Sequence, residues 1–223
     1  MVTALTAFRV TTGLEKDPYD LYEALIAYFQ EHKRYPTFFF LLGDYNYYDR
    51  GLSYNNLKYK HLIKYMADYA IVSILGSHDA ISQPEILLKE RERMVNIINR
   101  PVRRFRANNN LLPLPELYRN LADTEFKEDY TMGFPSHMGF RSGTCTPYAF
   151  YDLRLEVQIP IIVHTYALHW QQLEKCCTKE TLYQIATIKR HTQEVAGDFI
   201  SIFSPEYLSK TPNRIAIYKK VND

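Results

Sequence analysis

Three short polar stretches carry side chains suited to acid–base, anion-binding or metal chemistry: Gly43-Asp44-Tyr45, Gly76-Ser77-His78-Asp79, and a basic run of Arg100, Arg103, Arg104 and Arg106. His78 beside Asp79 offers an imidazole and a carboxylate to a divalent metal. The same pair is common on ordinary surfaces, where it holds nothing. Asp44 suits a general base or a substrate acceptor, yet Gly-Asp after an apolar run is also ordinary turn chemistry. His164 and His169 stand five residues apart, which does not put both on one helix face as an HExxH metal motif does. Side chains alternate along a strand, so Arg104 and Arg106 share a face that Arg103 does not, and Arg106 lies nearest the strand end. Arg141, within Gly139-Phe140-Arg141-Ser142-Gly143, can cap a carboxylate or polarise a substrate oxygen. The chain contains no GxSxG elbow, Walker loop or dinucleotide fingerprint.

The elements that must position these groups follow from periodicity. Asp17-Pro18 signals a helix start, and Tyr22, Leu25, Ile26 and Phe29 form one apolar stripe before Tyr35-Pro36 ends the run. Thr37 to Leu42 and Ala70 to Leu75 are continuous apolar runs that predict buried strands, with a helix over about 55–69 between them. Ser82 to Glu85 matches a capping box and predicts a helix to about Asn99. Shorter segments follow: a strand over 102–106, a helix over 115–121, an extended piece over 128–132 and an apolar strand over 156–163. A helix over 181–196 ended by Gly197 and a strand over 199–203 complete the pattern. About six strands alternating with helices predict an α/β architecture with a mainly parallel sheet. Such sheets carry their chemistry at the carboxyl ends of the strands, where Asp44, His78, Asp79, Arg106, Asn108, His164 and Ser204 all fall.

Composition limits the function classes. The 223 residues are 46% hydrophobic and 23% charged, which excludes disorder, collagen-like repeats and coiled coil for the whole chain and fits one domain over 1–223. With 27 basic and 25 acidic side chains the net charge is +2, too balanced to argue for nucleic acid. No stretch approaches a membrane span and no export signal is visible. Cys145, Cys176 and Cys177 make neither a CxxC pair nor an even framework, which favours free thiols and the cytoplasm. The 19 tyrosines are read as half-buried rings before sugar-stacking surfaces.

Four segments carry a family resemblance: FFFLLGDYNYYD (38–49), ADYAIVSILGSHDA (67–80), RPVRRFRANNNLLPLPELYRNL (100–121) and DYTMGFPSHMGFRSGTCTPYAFYDL (129–153). Together they resemble a branch of the polysaccharide deacetylase family, the NodB homology domain. The resemblance implies a distorted (β/α) barrel, incomplete at the N-terminus because residues 1 to 16 hold no Asp for the opening strand. It further implies metal-dependent N-deacetylation of a carbohydrate, with His78 on the metal and Arg106 catalytic; the other candidates of this chain are Asp44 and Arg141 as catalytic groups, Asn108, Asp129 and Tyr148 on the substrate, and Asp79 and His164 as further metal ligands. Ser82, Asn108 and Ser204 replace histidines of the family pattern, so the zinc-like divalent metal is expected to be weak or absent and the hydrolase impaired, a pseudoenzyme. The alternative is a non-catalytic module holding a glycan or a partner in the old sugar cleft. An open barrel also leaves two sheet edges, to be covered by residues 1 to 16 or by an oligomeric partner.

Overall fold

The apolar runs pair first. Thr37–Leu41 (β1) lies parallel to Ile71–Gly76 (β2), with Phe40 opposite Ile74, and Ile74 in turn lies opposite Phe105 of Arg104–Ala107 (β3). Glu128–Asp129 (β4) continues the parallel series between β3 and Val157–Val163 (β6), and Tyr148–Asp152 (β5) closes the row antiparallel to β6. The resulting six-stranded sheet has the order β1-β2-β3-β4-β6-β5. Tyr166–His169 (β7) and Ile200–Ile202 (β8) form a separate two-stranded parallel sheet. This computed structural model of the protein describes residues 9, 10, 12, 14, 17, 19–175 and 178–222.

Parallel neighbours need long crossovers, and helices supply them. Leu57–Tyr69 (α2) joins β1 to β2, Pro84–Ile98 (α3) joins β2 to β3, and Glu116–Asp123 (α4) joins β3 to β4. Asn56 caps α2 by accepting from the Tyr59 N–H. Ser82 does not cap α3; Gln83 is the capping residue, Pro84 opens the first turn, and the Ser82 hydroxyl donates to the Asp79 carbonyl. Asn99 ends α3 in the left-handed region at φ 52°. Ile63 and Met66 of α2, Leu87 and Met94 of α3 and Leu117 and Leu121 of α4 are all fully buried, as are Ile74 and Phe105 of the strands. Trp170–Lys175 (α5) follows β7, and Lys179–Glu194 (α6) begins at a capping box formed by Thr178 and Thr181.

The chain divides into two compact units, Tyr35–Ile202 and a second made of Met1–Arg34 with Phe203–Asp223. The second contains Tyr22–Glu31 (α1), Pro205–Ser209 (α7) and Pro212–Asn222 (α8). Its rings pack edge to face, Phe203 on Tyr218 at 4.8 Å. Ser204 caps α7 by accepting from the Tyr207 N–H.

The mostly parallel α/β sheet expected from alternation is present, but a closed barrel is not formed among the described residues. The antiparallel β5 ends one side of the large sheet and β7 pairs with β8 instead of extending it, so the strands make two open sheets. Periodicity missed β5 and β7 because both are short and carry polar or aromatic residues in place of an aliphatic run. The expected cover from residues 1 to 16 lies largely outside the described residues. The large sheet depends on one close approach: a Cβ at Gly76 would fall within the Phe105 ring of the neighbouring strand. Gly76→Ala is therefore expected to cost about 1–3 kcal/mol by overpacking; urea unfolding monitored by circular dichroism checks this, and an unchanged midpoint would show that Phe105 can move aside freely.

Candidate functional site

After β1 the chain runs from Gly43 to Gly51 across the carboxyl end of the sheet, and Asp49 on this loop is only 1% exposed. A buried carboxylate needs donors on both oxygens. Asp49 has them: Oδ2 accepts from the His78 backbone N–H at 2.8 Å and from the Asn46 amide at 3.2 Å, and Oδ1 accepts from the Asn108 amide at 2.8 Å. Asn46 folds its own loop by accepting from the Tyr48 and Asp49 N–H groups at 2.8 and 2.7 Å. The loops after β1, β2 and β3 are thus tied to one carboxylate.

On top of this tie stand the reactive groups. His78 Nδ1 lies 3.4 Å from Asp79 Oδ1, and the ring stacks on Tyr48 at 4.0 Å and 11°. Asp79 Oδ2 also accepts from the Asn46 amide at 3.2 Å. Beneath lies Glu90 of α3, fully buried, whose Oε2 accepts from the Ser77 N–H at 3.2 Å while Oε1 has no hydrogen-bond partner. Burial pushes the Glu90 carboxyl up to about 7, against the lowering effect of the Ser77 hydrogen bonds and the Arg93 charge. Gly43 allows this packing, since a Cβ there would stand 2.6 Å from the Ser77 Cβ and 2.9 Å from Glu90 Oε1.

A second polar cluster occupies the ends of β3, β4 and β7. Asp129 is fully buried and accepts from the Tyr118 hydroxyl at 2.9 Å, the Thr131 N–H at 3.0 Å and the Thr131 hydroxyl at 2.5 Å. Burial nevertheless holds its carboxyl up at about 6. Arg106 donates to Asn110 Oδ1 at 2.6 Å, and Tyr166, whose ring centre is 5.9 Å from the guanidinium, donates to the same oxygen at 3.2 Å.

The residues singled out from sequence therefore part company. His78, Asp79 and Asn108 meet around Asp49, whereas Arg106 and Asp129 belong to the second cluster and Tyr148 lies on β5 opposite Val163. Arg141 is exposed in its loop. Asp44 joins neither cluster: it is two-thirds exposed and is held by Arg93 at 2.9 Å and by Lys89 at 3.8 Å. His164 stacks on Tyr130 at 4.4 Å and faces Glu128 at 3.4 Å, and burial lowers its pKa. Sequence reading passed over Asp49, Asn46 and Glu90. The Asn46-to-Asp49 spacing does signal an Asx-type turn, but nothing local reveals that Asp49 is buried under two other loops.

A divalent ion needs three or more strong donors aimed at one point. Among the described residues no such group of His, Cys, Asp or Glu exists, and both Asp49 oxygens already face N–H donors. As packed here, the side chains do not fit a metal centre. No helix among the described residues is long and apolar enough to cross a membrane.

A family model described as Calcineurin-like phosphoesterase matches residues 17–175, well over half of the chain. No curated protein matches. The family match overturns the polysaccharide deacetylase resemblance and, with it, the expectations of a NodB-type barrel, of carbohydrate N-deacetylation and of a C–N hydrolase or its pseudoenzyme. A mixed α/β fold with a mostly parallel sheet is consistent with the matched family, whose members usually bind divalent metals.

Two outcomes follow from this geometry. Asp49→Ala strands three N–H donors and is expected to cost about 2–4 kcal/mol in denaturant unfolding; a loss within 0.5 kcal/mol, roughly that of a surface change, would mean that water replaces the carboxylate. Glu90 and Asp129 both have folded pKa values, about 7 and about 6, above their ordinary 4.5 and 3.8. The folded chain thus binds their protons more tightly, so the stability they contribute is complete at low pH and is lost as pH rises through 6 and then 7. Glu90→Gln should flatten stability between about pH 5 and 7 and make the protein more stable than wild type at pH 8 by about 1–3 kcal/mol, as read by unfolding midpoints across pH; an unaltered pH profile would show that Glu90 is ionised throughout.

Proposed function

The chain belongs to the calcineurin-like phosphoesterase family, and we propose that it hydrolyses phosphoester bonds at the cluster of Asp49, His78, Asp79 and Asn108. The observation that carries this reading is the convergence of three adjacent strand-end loops on Asp49, which presents the half-buried His78 and Asp79 at the sheet's carboxyl edge. Hydrolysis breaks a P–O bond, adds a water oxygen to phosphorus and leaves an alkoxide that must gain a proton. His78 is suited to supply it, because Nδ1 faces Asp79 and Nε2 is left to deliver the proton to the departing oxygen. Tyr48 fixes the ring plane by stacking, and Asp49 fixes the backbone beneath it. The Asn46 amide, shared between Asp49 and Asp79, keeps Asp79 beside the imidazole.

A phosphoester-binding domain without turnover is the second reading, favoured by the donor set that does not assemble around a metal. Under either reading the partner is a small phosphoester; the net charge of +2 argues against nucleic acid.

Release of p-nitrophenol from p-nitrophenyl phosphate and from the bis ester, with and without added manganese, separates the two readings. Turnover that falls about 10²–10⁴-fold in His78→Ala is the expected result. Absence of release under every condition, or activity unaffected by His78→Ala, would overturn hydrolysis at this site. After desalting, the protein is expected to carry well below one equivalent of metal by elemental analysis; a tightly held equivalent would show that Asp49 and Asp79 reorient around an ion.

A further inference from the structure

A pocket of about 280 Å³ opens between α2 and α3, lined by Lys60, His61 and Lys64 of α2, by Arg93 and Asn96 of α3, and by Tyr54 of the loop before α2. No carboxylate lines it. Ring contacts draw three of these groups together: the Arg93 guanidinium lies 3.7 Å from the centre of the Tyr54 ring, and the Lys60 ammonium 6.0 Å from the same centre. Arg93 is itself fixed, donating to the Leu42 carbonyl at 2.6 Å and to Asp44 at 2.9 Å. One wall of the pocket is thus tied to both ends of the loop after β1.

The two lysines stand where the fold gains nothing from a cation. The first turn of α2 holds no acidic residue, although the helix dipole favours acids there and disfavours lysine. Lys60 and Lys64 are four residues apart on one helix face, where like charges repel. Cations nearby are neutralised: Arg93 and Lys89 share Asp44, and Arg100 pairs with Asp68 at 3.5 Å. Among the described residues the side chains of Lys60, His61 and Lys64 have no ion pair and no hydrogen bond. Their charge is not compensated from within these helices.

We propose that this pocket binds a small anion of two or three linked phosphates, at a site separate from the Asp49 cluster. Lysine ammoniums hold phosphate as point charges, and the stems of Lys60 and Lys64 start about 6 Å apart along the helix axis, four residues at about 1.5 Å each. A single orthophosphate engages one of them fully. A chain of phosphates reaches both, with the Asn96 amide and the His61 imidazole as further donors. The Tyr54 ring already carries Arg93, so the pocket recognises charge and offers no open stacking face for a base. None of Asp49, His78, Asp79 and Asn108 lines it, so its occupancy does not depend on hydrolysis at that cluster.

The test is calorimetric titration of the full chain with tripolyphosphate in EDTA, which keeps divalent ions off both partners and reads binding without turnover. One site is expected, weakened about 10-fold or more when Lys60→Gln and Lys64→Gln are combined, the loss of two charge-assisted contacts. His78→Ala should leave the affinity unchanged. Lys58→Gln removes a charge of the same helix outside the pocket and should change it by less than about 2-fold, as for an exposed charge without a partner. Orthophosphate should bind more weakly than tripolyphosphate. No binding by wild type, equal affinity in the double variant, an equal loss in Lys58→Gln or in His78→Ala, or orthophosphate as tight as tripolyphosphate would each overturn the proposal. Lys64 is exposed, so if the double variant fails to fold, Lys64→Gln decides alone: weaker binding supports the site and unchanged binding removes it.

Discussion

One buried carboxylate organises this end of the molecule. Parallel strands deliver their loops to a common edge, but nothing in sheet hydrogen bonding dictates how those loops sit against each other. Asp49 supplies that constraint by taking donors from its own loop, from the His78 backbone and from the Asn108 side chain. The donors must come from elsewhere because a carboxylate out of water without partners costs several kcal/mol. Satisfying Asp49 therefore fixes the position of His78, and the stacking of Tyr48 fixes the plane of its ring.

Beneath this edge the chain tolerates groups that a purely structural core would avoid. Glu90 keeps one oxygen without a partner, Asp129 is held up near 6 despite three hydrogen bonds, and Arg106 is buried with its Nε unpartnered. Each is destabilising by itself, and all three lie under or beside the strand ends. Apolar residues of similar volume would serve the core better. Their clustering near the carboxyl ends of the strands is the pattern expected when stability is traded for a site.

Much of the scaffold was legible. TFFFLL and AIVSIL announce themselves as buried strands by continuous apolar character, and they pair residue for residue in register. Strand-end logic put His78, Asp79 and Asn108 at one rim together with Asp44, Arg106, His164 and Ser204, and of these the first three meet at the Asp49 network. Asp49 was not legible, because its importance lies in contacts 29 and 59 residues away, which no local pattern encodes. Asp44, also at a strand end, stays outside that network, held at the surface by Arg93. The deacetylase resemblance failed at the level of family for a related reason. Many hydrolases place Gly, Asp and His at strand ends, so those features report a shared architecture and not a shared reaction.

The claim that Asp49 welds the loops is tested most directly by a double-mutant cycle between Asp49→Ala and Asn108→Ala, read by urea unfolding. Residues that share a charge-assisted hydrogen bond in a buried network should couple, so the double variant is expected to be less destabilised than the sum of the singles by about 1–3 kcal/mol. Additivity within about 0.3 kcal/mol would contradict it: the loops after β1 and β3 would then be held independently, and Asp49 would be a buried residue of one loop alone.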